Sequence, residues 1–130
     1  MELTLQFKGS LAPILTGDQV EEHRLIYPRN WQQYVSGDYY GDPIHYDSLK
    51  LINGRLHNAP WCRVAVKSEE VVVLTDEDGN DLTYEQDGVE YLKLMMVYHL
   101  GDILEVGGTI GGIPRTIWGK EPPKQLTINL

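Results

Sequence analysis

The chain has 130 residues, a formal net charge of −8, 42% hydrophobic residues and one cysteine. That length predicts a single globular domain over 1–130, large enough to fold without a disulfide or a metal. The apolar content excludes wholesale disorder, the lone Cys62 excludes an intrachain disulfide, and the acidic balance argues against direct contact with a phosphate backbone, which needs clustered Lys and Arg.

Residues 2–8 alternate, with Leu3, Leu5 and Phe7 on one face and Thr4, Gln6 and Lys8 on the other, and predict a half-buried strand. Asp18 and Glu21 stand at capping-box spacing ahead of Pro28, which predicts a short helix over 19–26. Asn30 and Gln33 repeat the spacing, and Trp31, Tyr34 and Val35 share a helical face, so a second helical turn or two is expected before Gly37. Residues 37–47 read as a loop, rich in Gly, Asp and Pro.

Asn53-Gly54, flanked by 49–52 and 55–57, predicts a tight hairpin. Residues 63–67 read as a strand with Val64 and Val66 inward. Residues 71–75 and 81–85 read as the arms of another hairpin around Glu77-Asp78-Gly79-Asn80. Asp87 and Glu90 repeat the capping-box spacing before an apolar run that ends at Gly101, so a helix over 88–100 is favoured over a buried strand. Strands are expected at 103–106, 115–118 and 125–130, with a Gly-rich loop over 107–112. Gly101-Asp102-Ile103-Leu104-Glu105-Val106 is loosely similar to a strand of small SH3-like barrels, a likeness of six residues. The expected fold class is α+β: a mainly antiparallel sheet or partly open β-barrel with one to three short helices.

The charge is concentrated. Residues 69–90 hold nine acids and no Lys or Arg, so that span carries −9 and the rest of the chain +1. Such a local field steers association with a basic surface and contributes specificity. The start Met1-Glu2-Leu3-Thr4 has neither a basic nor an apolar leader region and predicts no signal peptide. The longest apolar run, 94–97, falls far short of the ~20 residues of a membrane span. A cytoplasmic location and no membrane partner are therefore expected.

Several motifs have an ordinary explanation. Asp76, Asp78 and Asn80 match the first positions of an EF-hand loop. Asp81 then replaces the required glycine and Asp87 the bidentate glutamate, so a solvated hairpin tip is expected. Gly107-Gly108-Thr109-Ile110-Gly111-Gly112 lacks the Lys and Ser/Thr of a phosphate-binding loop. Cys62 is read as a small buried hydrophobe. His23, His45, His57 and His99 show no metal-ligand spacing, and the Asp42, His45 and Asp47 group reads as loop polarity. No cofactor and no metal are expected.

Tyr27, Trp31, Tyr34, Tyr39, Tyr40 and Tyr46 fall within twenty residues. Trp31 and Tyr34 are expected in the core, and Tyr39 and Tyr40 exposed in the loop, where tyrosine serves recognition. The leading expectation is a non-enzymatic acidic protein that neutralises a basic, nucleic-acid-binding protein partner, as an immunity protein or a viral inhibitor does. Its candidate contacts are Asp76, Glu77, Asp78, Asp81 and Glu85 with Asp38, Tyr39, Tyr40 and Asp42. Two alternatives remain open. One is a ligand-binding or hydrolytic barrel with its site between the 37–47 and 107–112 loops, using Asp38, Tyr40, Asp42 and His45. The other is a small structural subunit that assembles through 89–100.

Overall fold

The computed structural model describes residues 1–108. The strands expected at 115–118 and 125–130 lie outside the described residues, as does most of the 107–112 loop. The chain falls into two compact units. Of the described residues, the first includes Met1–Val20, Tyr46–Lys67 and 100–108; the second comprises Glu21–His45 and Ser68–His99.

In the first unit the alternating stretch forms β1 (Glu2–Gln6), with Leu3 and Leu5 buried. It pairs in parallel with β3 (Ser48–Ile52), which pairs antiparallel with β4 (Trp61–Val73). The registers align the buried side chains in rows across the strands. Leu3 stands beside Leu49 and Leu49 opposite Val64, while Leu5 stands beside Leu51 and Leu51 opposite Cys62. This matching pleat places Val64 and Val66 inward, as the sequence predicts, and Cys62 is fully buried. Arg63 forms ion pairs with Glu2 of β1 and with Glu105.

The Asn53-Gly54 hairpin does not form. A type I′ turn needs positive φ at both central residues, and among the described non-glycine residues only Asp87 has one. The return strand starts at Trp61 instead. Asn53 closes the intervening loop, its N–H donating to the Pro60 carbonyl and its side-chain amide to Phe7 and Gly9.

The helix expected over 19–26 is also corrected: residues Glu21–Ile26 form strand β2. Asp18 does not act as a cap but accepts a hydrogen bond from Thr16. A six-residue segment stopped by Pro28 gains more from a backbone ladder against β7 (Leu94–Gly107) than from an unsupported helix. The one short α-helix among the described residues, α1 (Ala12–Leu15), lies upstream, with Pro13 in its first turn. The turn expected near 30–36 is present as a 3₁₀ helix, Trp31–Gln33, with Tyr34 and Val35 buried behind it.

The largest correction falls on 88–100. This stretch is not a helix but two strands, β6 (Val89–Leu92) and the start of β7. β6 returns on β5 (Thr83–Gln86) across Asp87-Gly88, whose φ values are +53° and +79°. Those positive angles form the primed two-residue turn that matches strand twist. Gly88→Ala is expected to cost about 1–2 kcal/mol by forcing a Cβ into the left-handed region. Asp87→Asn should be nearly silent, since Asn tolerates that conformation. Urea denaturation of the two variants checks both.

The five-stranded sheet has the order β1-β3-β4-β7-β2, and β5 and β6 form a separate ribbon. Among the described residues the sheet is mixed and open, with β1 and β2 as its edges, so the fold is α+β in the broad sense and not closed into a barrel. Residues 101–106 are extended within β7. No helix among the described residues is long and apolar enough to cross a membrane.

Candidate functional site

All nine acids of the 69–90 span lie in the second unit, together with Glu21, Glu22, Asp38 and Asp42. Thirteen carboxylates against Arg24, Arg29 and Lys93 give that unit a net charge of −10, while the remainder of the chain carries +2. Topology thus gathers more negative charge than the linear span suggests.

Three of the nine acids have partners within the unit. Glu69 pairs with His45 at 2.9 Å, and Glu70 lies 3.4 Å from His99. Asp76 organises its own turn: its Oδ1 accepts the N–H groups of Asp78 and Asn80, both at 2.9 Å. The backbone hydrogen bond from Asn80 is the main cause that holds the Asp76 carboxyl below its ordinary value of 3.8. A depressed folded value makes this turn strongest above pH 3.8 and weakens it as pH falls through the folded value. Protection of the Asp78 and Asn80 amides, relative to their intrinsic exchange rates, should therefore fall in acid as the Asp76 carboxylate is protonated, and Asp76→Ala should remove that loss by lowering protection at every pH. The expected tip is present, closed by the isolated Thr75–Asp81 bridge, but 71–75 and 81–85 are not the arms of one hairpin: β5 pairs with β6 instead of with β4. The EF-hand spacing serves this turn, and no cluster of three or more His, Cys, Asp or Glu among the described residues is arranged to hold a metal ion.

The other six, Glu77, Asp78, Asp81, Glu85, Asp87 and Glu90, are exposed. None forms a side-chain hydrogen bond or ion pair with another described residue. Glu85 and Glu90 are direct cross-strand partners in the β5–β6 ribbon. Like charges so placed cost stability. Glu90→Lys should therefore stabilise the ribbon by about 0.2–1 kcal/mol, read as a higher urea midpoint.

The pleat sets a second face on the same ribbon. Tyr84 and Tyr91 are also cross-strand partners, with rings stacked 5.8 Å apart. Tyr39 packs edge-on against Tyr91 at 5.0 Å and against Tyr40 at 4.8 Å, and Tyr27 meets Tyr84 at 6.2 Å. Each such pair contributes about 0.5–1.5 kcal/mol beyond its buried area.

The hydroxyls make this cluster specific. Tyr39 lies within donating distance of the Leu92 carbonyl, at 2.8 Å, and of the Ile26 carbonyl, at 3.2 Å, while the Tyr40 hydroxyl accepts the Leu92 N–H at 3.1 Å. Two consecutive tyrosines therefore grip both polar groups of one residue at the end of the acidic ribbon. Burial, then the hydrogen bond with Tyr84, pushes the Tyr39 phenol well above its ordinary value of 10.

Tyr39 is 7% exposed, which corrects its expected place on the surface; Tyr40, at 55%, is exposed as expected. Physically, one tyrosine of the pair is spent on holding the ribbon. Asp38 and Asp42 are both exposed. Asp38 accepts the Tyr40 N–H at 2.8 Å, and the Asp42 carbonyl accepts the Ser36 N–H. The bridge between Val35 and Pro43 closes the lobe, and Gly41 is required because a Cβ there would overlap the Ser36 carbonyl. His45 pairs with Glu69, and Asp47 with the Met1 amino group.

Tyr84 and Tyr91 are the members of this tyrosine cluster that sequence reading passes over. Their signal is the alternation Tyr84-Glu85-Gln86 and Glu90-Tyr91 on either side of Asp87-Gly88, which assigns aromatics and acids to opposite faces. No family model, curated protein or solved structure matches this chain.

Proposed function

We propose that this protein is a non-enzymatic, acidic binding protein that neutralises a basic protein partner, in the manner of an immunity protein or an inhibitor of a nucleic-acid-binding enzyme in the cytoplasm. The observation that carries this reading is the set of six exposed carboxylates without described partners, including the cross-strand pair Glu85 and Glu90. A ribbon that keeps two glutamates opposed gives up stability for a concentrated field, and such a field accelerates encounter with an opposite charge. Glu77, Asp78, Asp81 and Glu85 are the primary contacts, with the exposed ring of Tyr40 and the carboxylates of Asp38 and Asp42 on the same unit. Asp76 supports this surface through its own turn, and Tyr39, buried, through its contacts with the ribbon.

A tagged pull-down from host lysate at low and high salt, read by mass spectrometry, tests the reading. A basic protein held at low salt and released at high salt is the expected result, since exposed charge pairs are screened by salt. A partner of neutral or acidic surface, or one whose retention ignores salt, would refute it.

A further inference from the structure

Positive charge in this chain is as unevenly placed as negative. Residues 48–67 hold Lys50, Arg55, Arg63 and Lys67 and no Asp or Glu, so that span carries +4 in a protein of net charge −8. It comprises β3, the loop 53–60 and the first part of β4, all in the first unit. An open pocket of about 320 Å³ lies where the loop meets the strands. Lys50, Arg55 and His57 line it together with Ile52, Leu56 and Trp61, and no acid does. None of the three basic side chains forms an ion pair with another described residue, whereas Arg63 is already neutralised by Glu2 and Glu105.

The walls are held by the fold. Asn53 N–H donates to the Pro60 carbonyl at 2.8 Å and Ala59 N–H to the Leu56 carbonyl at 3.0 Å, which closes the loop from within. The Trp61 ring lies under Lys50, whose Nζ is 4.4 Å from its centroid, and against β7, where a Cβ at Gly107 would overlap the indole. Leu56 is 70% exposed between Arg55 and His57, an apolar side chain set among cations.

The lining itself selects the ligand. Cations without paired acids select an anion. Lys50 and Arg55 together carry +2, which matches the near-double charge of a phosphate monoester better than a single carboxylate. Arg55 offers forked N–H donors to phosphate oxygens, and the His57 ring adds another donor. Free phosphate would leave Ile52, Leu56 and Trp61 unused, so the anion carries an aromatic body. A volume at the lower end of ligand pockets takes one small molecule and not a phosphate backbone. We infer that this pocket binds a small aromatic phosphate monoester, of the class of nucleoside monophosphates. The site lies in the first unit and does not depend on the reading of the protein as a binder of basic partners.

The test titrates the full chain at pH 7 with adenosine monophosphate, adenosine and inorganic phosphate, by calorimetry and amide shifts. Adenosine monophosphate should bind at least about tenfold more tightly than either of its parts, since charge-assisted hydrogen bonds and apolar burial each contribute that much. Its shifts should centre on residues 54–57 and the Trp61 indole. Arg55→Gln, at an exposed position, should weaken adenosine monophosphate about tenfold. Leu56→Ser should weaken it and leave inorganic phosphate unchanged. Lys67→Gln, exposed on the same basic span but outside the pocket, should alter neither. Inorganic phosphate binding as tightly as adenosine monophosphate would overturn the aromatic body, and adenosine doing so would overturn the anion. Equal losses in Arg55→Gln and Lys67→Gln would show diffuse attraction to a basic surface and overturn the site. Absence of binding by all three probes would overturn it outright, and the basic-partner reading would stand in every one of these cases.

Discussion

Replacing Tyr39 by alanine is expected to destabilise the second unit by about 3–5 kcal/mol, the usual cost of deleting a buried aromatic side chain. The site is severe because an isolated two-stranded ribbon is at best marginally stable in water. β5 and β6 depend on the rings of Tyr84 and Tyr91, and those rings depend on Tyr39. Alanine removes the edge-on contacts with Tyr40 and Tyr91 and the hydroxyl's contacts with the Leu92 and Ile26 carbonyls. Tyr39→Phe isolates the second loss and should cost about 1–3 kcal/mol, since the ring stays and its carbonyl partners lose a donor. Urea denaturation gives the magnitudes, and amide exchange at Leu92 locates the effect. Unchanged protection of Leu92 in the alanine variant would show that the ribbon stands without the tyrosine lobe.

Neutralising the ribbon and tip with Glu77→Gln, Asp78→Asn, Asp81→Asn and Glu85→Gln should slow association with the basic partner by roughly 10- to 100-fold at low salt. The loss should shrink as salt rises, because screening already suppresses the wild-type advantage. Dissociation should change less, because steering charges act mainly before contact. Asp76 is left intact in this variant because it caps its own turn, and its removal would mix folding with binding. The variant should be at least as stable as the parent, since one member of the opposed Glu85 and Glu90 pair is gone. Stability and affinity thus move in opposite directions, which distinguishes a binding surface from a solubilising one.

The sequence displays most clearly what depends on local pattern. The alternation of Leu3 and Leu5, and of Val64 and Val66, is the pleat itself, and the structure buries each of these side chains. The turn around Gly79 is likewise local, closed by Asp76 hydrogen bonds to its near neighbours. Errors arise where a short motif has two physical uses. Asp18 with Glu21, and Asp87 with Glu90, fit a capping box, but the first pair begins a strand and Asp87 enters a primed turn with Gly88. Pairing with β7 and β5 decides both cases, and no local pattern announces those partners. Asn53-Gly54 fails for a related reason: the Asn53 side chain is committed to Phe7 and Gly9, far away in sequence. The acidic field was legible as composition. Its support by Tyr39 and Tyr40 was not, because their grip on Leu92 spans more than fifty residues.

The central claim, that the exposed carboxylates of the second unit recognise a basic protein, is tested most directly by parallel capture from host lysate at low salt with the wild-type chain and the fourfold-neutralised variant. The account predicts one basic protein enriched by the wild type and lost from the variant, with both baits folded to the same urea midpoint or the variant slightly above. Equal enrichment of the same partner by both baits would contradict it.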